Sequence, residues 1–139
     1  MNIPDSKRSS IRVCAAVIRK DGRVLMCSRP PGSHLAGRWE FPGGKVHAGE
    51  TDSECLVREI AEELSAEVFV LDLLGRTAYS YQDKDVEIFF YRTVLADDSG
   101  KISAMENQEI AWTGLPSLCG LDLVPADLDF ARWLASDGE

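Results

Sequence analysis

The apolar residues of this chain fall into short extended runs on either side of one central helical stretch. Ile11 to Arg19 is a β-rich run, Asp21-Gly22 is a turn pair, and Val24 to Ser28 resumes the run, so this segment predicts a hairpin. Arg29-Pro30-Pro31-Gly32-Ser33 reads as a loop, and Trp39-Glu40-Phe41 as a short strand that delivers the chain into Pro42-Gly43-Gly44. Beyond the helical stretch, Val68 to Leu74 and Arg76 to Tyr81 read as strand broken at Gly75. The polar turn Gln82-Asp83-Lys84-Asp85 leads to a strand over Val86 to Leu95, and Glu109 to Trp112 predicts another. Pro116 to Leu118 begins a short helix. Pro125 suits the first turn of a last helix through Ala135, with Leu128, Ala131, Trp133 and Leu134 available for packing. Strands before and after a central helix, with a further helix at the end, predict an α/β layered domain with a mixed sheet.

The central stretch, Gly44 to Ala66, reads as a glycine loop feeding an acidic helix. Thr51 and Glu54 have capping-box spacing, so the helix is expected to start there. At about 100° per residue, Leu56, Val57, Ile60, Ala61 and Leu64 fall within roughly 140° of arc, the width of a core-facing stripe. Glu59, Glu62 and Glu63 fall on the other side. Their i, i+3, i+4 spacing crowds three carboxylates together, which repels unless a cation sits among them, and a divalent metal is the economical explanation. Taken alone, the cluster also fits an ordinary solvated helix face, because glutamate is a good helix former. The glycines of the preceding loop favour the metal, since Gly43-Gly44 and Gly49 let backbone approach an ion or a phosphate closely.

Gly44, Glu50, Arg58-Glu59-Ile60 and Glu62-Glu63 resemble the Nudix box, G-x5-E-x7-R-E-U-x-E-E-x-G-U with U aliphatic. Ser65 departs from the pattern where glycine is usual; in a left-handed helix end, serine costs roughly 1 kcal/mol. The resemblance extends along nearly the whole chain. Gly37 to Val46 looks like the segment that enters the box in the MutT branch and in CTP pyrophosphohydrolases, and Glu106-Asn107-Gln108-Glu109 with Trp112, and Val124 to Asp127, also match that branch. It implies a Nudix-type α-β-α sandwich with Mg2+ (or Mn2+) held by Glu59, Glu62, Glu63 and the Gly43 carbonyl, oxygen donors that a hard dication prefers. Arg58 would brace the glutamates, against a simpler Glu54–Arg58 surface pair, and Glu106 would assist metal or water. Arg29, His34, Glu40, Phe41, Pro42, Gly43 and Asp127 fall at positions implied to touch substrate. The implied reaction is attack of water on the β-phosphorus of a nucleoside triphosphate, yielding monophosphate and pyrophosphate. Glu59 is the favoured base, with Glu62 or Glu106 as alternatives.

The net charge of −8 argues against electrostatic binding to duplex nucleic acid or an anionic membrane. A polyanionic small substrate remains compatible if metal bridges it to the carboxylates. Cys14, Cys27, Cys55 and Cys119 form no C-x-x-C pair and fit reduced core thiols, and no leader or long apolar run is readable, so a cytoplasmic monomer or homodimer is expected. Residues 1–10 read as a flexible polar tail and 11–139 as one domain.

On substrate, the sequence leaves alternatives open. Phe41, Tyr79, Tyr81, Phe89 and Phe90 are candidate aromatic walls for a base, or simply core. Asp127 falls at the base-contact position, where it suits an exocyclic amine or ring N–H. An oxidised purine nucleotide such as 8-oxo-dGTP leads, with CTP, dCTP or 5-methyl-dCTP second. A Nudix fold kept as a non-catalytic binding module is the alternative class, and an acidic helix serving only as a partner-binding face is blander still.

Overall fold

The computed structural model describes residues 10–97, 99 and 101–136. In chain order the strands are β1 (Ser10–Lys20), β2 (Arg23–Ser28), β3 (Trp39–Glu40) and β4 (Gly43–Lys45). Helix α1 (Asp52–Leu64) follows, then β5 (Val68–Ser80), β6 (Asp85–Leu95), β7 (Ile110–Gly114) and α2 (Leu128–Ser136). Short 3-10 turns at Leu115–Gly120 and Pro125–Asp127 lead into α2. Apart from Ser10, which opens β1, the predicted polar tail lies outside the described residues.

Strand β1 organises the sheet because it has a different partner at each place along its length. One edge runs parallel to β6 from Ser10↔Asp85 to Ile18↔Thr93, and β5 closes that side antiparallel to β6. The other edge pairs first with β4, Val13↔Lys45 to Ala15↔Gly43, and at its far end with β2 through Arg19↔Val24 and Lys20↔Arg23. Strand β2 then pairs with β7 and, at Cys27 and Ser28, with β3. The sheet is therefore mixed.

Side-chain alternation along β1 feeds two cores. Cys14, Ala16 and Ile18 face α1 and pack with Cys55, Leu56, Ile60 and Leu64. Ala15 and Val17 face α2 and pack with Val24, Met26, Phe90, Phe130, Ala131 and Leu134. One helix on each face makes the expected α-β-α sandwich. Leu56, Ile60 and Leu64 are fully buried, each contributing about 1.5–3 kcal/mol. On the opposite face Phe90 stacks on Phe130 with ring centroids 4.0 Å apart, and Phe41 sets its edge against both rings at 5.6 and 5.5 Å.

Three expectations need correction. The glycine loop is partly strand: Gly43 and Gly44 sit in β4, where a Cβ on Gly43 would collide with the Cys14 carbonyl of β1, so the tight turn falls later, at Gly49 with φ +83°. Strand β5 is continuous through Gly75 rather than broken there. Irregular register between Val70 and Gly75 lets it bend, and a Cβ at Gly75 would meet the Phe130 ring at 3.0 Å. The buried stripe of α1 is also rotated. Cys55 is fully buried whereas Val57 is 41% exposed, and Ala61 is exposed too, a turn of roughly 60–70° at about 100° per residue. Glu59 and Glu63 thereby move inward, toward β4, instead of facing solvent. Among the described residues no helix is long and apolar enough to cross a membrane.

Candidate active site

Helix α1 starts where its capping box places it. The Thr51 hydroxyl accepts from the Glu54 amide, and the Glu54 carboxylate accepts from the Thr51 amide. The start is also tied down from the sheet, by residues the sequence reading did not single out. Arg12 on β1 grips Asp52 with two hydrogen bonds of 2.9 and 2.7 Å, and the Tyr91 hydroxyl of β6 donates to the same carboxylate. The Arg12 guanidinium lies 3.8 Å over the Phe89 ring, and the Arg12 carbonyl accepts from the Val46 amide. One residue thus holds both ends of the loop between β4 and α1. At the far end, Ser65 occupies the left-handed region, φ 54° and ψ 41°.

Within this frame Arg58 is the hub. It donates to Glu50 through Nε and Nη2 at 2.6 and 3.0 Å, to Glu59 at 2.9 Å, to Glu62 at 3.3 Å and to the Lys45 carbonyl at 3.0 Å. Glu54 is engaged in the cap, so Arg58 serves the box. Glu50 also accepts from the His47 amide, and the Arg58 bonds above all hold its carboxyl down to about 2.

Glu59 and Glu63 have a different setting. The Glu59 side chain is 14% exposed, and a Cβ on Gly44 would fall on its carboxylate, so glycine there makes the room. Glu63 accepts from the Gly43 amide at 3.3 Å and shares a hydrogen bond with Glu59. Burial, that shared bond, and the charges of Glu59, Glu40 and Glu106 push the Glu63 carboxyl well above the usual carboxylate range. Glu62 is 56% exposed and turns to Arg58. Among the described residues no three acidic, His or Cys side chains converge in a metal-holding arrangement. The Gly43, Glu59, Glu62 and Glu63 set expected from sequence is gathered along one helix turn and one strand, with its donors turned to Arg58 and to a backbone amide.

Beside these carboxylates runs a cleft lined by Cys27, Ser28, Arg29, Glu40, Glu63 and Glu106. It adjoins a second, more apolar cleft, and Arg29 and Glu40 line both. The second cleft lies against the α2-facing side of the sheet. Ile11, Val13, Val86 and Ile88 line it with Phe41, Tyr81, His34 and Asp127. Arg29 donates to Glu40 at 3.3 Å and to the His34 carbonyl at 2.9 Å, while the His34 ring meets Tyr81 edge-on at 5.1 Å. Burial raises the Glu40 carboxyl to about 7 against the opposing pull of Arg29. Asp127 is 3% exposed, accepts from the Phe41 amide at 3.1 Å, and is raised well above the usual range by burial first and by Glu40 next.

Of the expected substrate residues, Arg29, His34, Glu40, Phe41, Gly43 and Asp127 line this cleft. Pro42 does not; it is buried, and its carbonyl accepts from the Ala16 amide. Among the candidate aromatic walls, Tyr81 lines the cleft, whereas Phe90 is core and Phe89 faces α1 under Arg12. Only aromatic content in a strand pointed to Tyr81. For Arg12 and Tyr91 no motif exists, because their importance lies in where Asp52 arrives.

The NUDIX domain model matches residues 8–134, and this chain belongs to the NUDIX family. Members of that family generally need a divalent metal, usually Mg2+. The chain is 34% identical to the CTP pyrophosphohydrolase of Escherichia coli K12 over 85% of its own length and 86% of the relative's. It is 38% identical to the putative 8-oxo-dGTP diphosphatase 2 of Mycobacterium tuberculosis H37Rv, over 88% and 89% respectively. The crystal structure of a MutT protein from Methanosarcina mazei Go1 superposes with a TM-score of 0.80 at 27% identity, covering 91% of this chain and 93% of that one.

Proposed function

We propose that this protein is a metal-dependent nucleoside triphosphate pyrophosphohydrolase that releases a nucleoside monophosphate and pyrophosphate, with oxidised deoxynucleotides such as 8-oxo-dGTP as its substrates. The observation that carries this reading is the junction at Arg29 and Glu40. It joins an apolar cleft ending in a buried carboxyl to a cleft of glutamates with too little cationic charge of their own. The glutamates suit Mg2+: they are hard oxygen donors, Gly44 leaves space at Glu59, and Glu63 is crowded by carboxylates that an added dication would neutralise. Glu59 and Glu63, with Glu62 within the same turn and the Gly43 carbonyl beside them, are the residues that would hold it. A bound dication supplies charge neutralisation on the phosphate oxygens and lowers the pKa of water. Arg58 fixes the Glu59 carboxylate, and Glu59 is the group placed to collect the proton from the attacking water. Phe41, Tyr81 and Asp127 hold the base, and Arg29 lies where the two clefts meet.

A cytidine nucleotide is the second reading, favoured by the name of the E. coli relative. Burial raises the Asp127 carboxyl, and a carboxyl that holds its proton donates as well as accepts, which suits the acceptor and amine of a cytosine edge and the acceptor and ring N–H of a guanine edge alike. In the cell, three buried free thiols, Cys14, Cys27 and Cys55, accord with a cytoplasmic protein. The test is pyrophosphate release from a panel of 8-oxo-dGTP, dGTP, dCTP, 5-methyl-dCTP and CTP, with and without Mg2+. The reading expects Mg2+-dependent turnover with kcat/KM highest for 8-oxo-dGTP. A lead for the cytidine nucleotides selects the second reading, and binding without turnover of any would make the protein a module.

A further inference from the structure

Gln108 is a buried polar side chain without a part in the proposed reaction. It is 6% exposed, and both ends of its amide are engaged. Its Nε2 donates to the Glu63 carbonyl at 2.9 Å, and its Oε1 accepts from the Glu106 amide at 2.9 Å. The first bond reaches the last turn of α1, whose carbonyls lack helical partners. Neighbouring amides of the same segment join in: Met105 donates to the Glu63 carbonyl at 3.0 Å and Ser103 to the Leu64 carbonyl at 2.9 Å. The second bond spans Asn107, which takes the left-handed conformation, φ 62°, that asparagine readily adopts in a turn. Glu106 is therefore fixed, through one side chain, to the same helical residue whose carboxylate it faces across the cleft.

We propose that Gln108 is a positioning residue: its amide fixes the main chain of Glu106 against Glu63, so that the β6–β7 connection supplies a carboxylate to the cleft at a set distance from the helix. This rests on the reading of that cleft as the reaction site. The physical case is that each engaged end of a buried amide resists loss, since an unsatisfied buried partner costs about 1–3 kcal/mol. No other described side chain bonds both the helix end and the Glu106 turn. Glu106 itself is exposed on a loop, and beyond the backbone bonds of Ser103 and Met105 the Gln108 amide is what engages the Glu106 amide.

The test is a double-mutant cycle of Gln108→Met, which fills similar volume without either polar end, with Glu106→Gln, read in two ways. In the metal-free and substrate-free protein, amide exchange at Glu106 and Met105 should quicken by about tenfold or more in Gln108→Met, while amides of β1 and β6 keep their protection. In turnover at saturating Mg2+, well below the melting temperature, each single change should lower kcat by about tenfold or more with the nucleotide KM little changed. The double variant should be no slower than the slower single, because both changes remove the same placed carboxylate. Losses that multiply, or a normal kcat in Gln108→Met beside a damaged Glu106→Gln, would overturn the positioning role and leave Gln108 a structural cap. Unchanged exchange at Glu106 would overturn it without any reference to catalysis. A wild-type protein that turns over no nucleotide would instead sink the reading of the site, and the exchange result would still decide what Gln108 holds.

Discussion

Two regions of the molecule hold carboxyl groups in opposite ways. At the entry to α1, Glu50 and Asp52 are each met by an arginine in two hydrogen bonds, and both are held down to about 2. Around the clefts, Glu63, Glu40 and Asp127 are pushed up, by burial first in each case and then by neighbouring carboxylates. The first group makes structure: it holds the loop and the start of the helix at fixed positions. The second group is left under-neutralised where ligands would enter, and strongly perturbed carboxyls in a cleft are a mark of functional sites. A carboxylate gripped by two arginine hydrogen bonds thus belongs to the scaffold, and one with less cationic contact than its burial calls for belongs to the cleft.

The largest effect that would break this contrast lies in the cleft. Glu59→Gln and Glu63→Gln should each lower kcat about 10²-fold or more while the circular dichroism spectrum stays native, because each removes a charge needed at the reacting phosphate. Near-normal turnover at saturating Mg2+ in either variant would place that glutamate with the scaffold.

Asp127→Asn comes next. It keeps an acceptor for the Phe41 amide but fixes the other end as a donor, so the ranking of bases by kcat/KM should change by about tenfold, or 1.4 kcal/mol. It also carries a stability signature of definite sign. The folded pKa of Asp127 is raised, so above the unfolded value of about 3.9 the unfolded chain releases its proton first. Stability then falls with rising pH until the folded pKa is passed. Asp127→Asn should therefore raise the melting temperature at pH 8 and change it little at pH 4. Equal shifts at both would mean that the buried carboxyl carries no ionisation penalty.

Asp52 should behave in the reverse sense and more weakly. Its folded pKa is depressed to about 2, by Arg12 foremost, so its contribution is present above the unfolded value near 3.9 and is lost as pH falls toward 2. Asp52→Asn should flatten the melting curve against pH across that window and leave kcat at neutral pH within a few-fold. The smallest effect is expected at Ser65→Gly. Relief of the left-handed serine at φ 54° should stabilise the protein by up to about 1 kcal/mol in urea denaturation.

What was legible beforehand is what short range decides. The cap at Thr51, the hairpin at Asp21-Gly22 and the glutamate spacing follow from neighbours within one or two turns, the left-handed end at Ser65 is suggested by the glycine usual there in the Nudix box, and the structure carries each. The fold class followed because the order of elements leaves few ways to cover a mixed sheet. Packing decided the rest. Which arc of α1 turned inward depended on Cys55 winning the sheet contact over Val57, which the helical period alone leaves open. Arg12 meets Asp52 across 40 residues, Gln108 meets Glu63 across 45, and Phe41 meets Asp127 across 86. No local pattern records such pairings, because each polar group finds its partner only after the apolar faces have packed and water has been removed, when leaving it unpaired becomes costly.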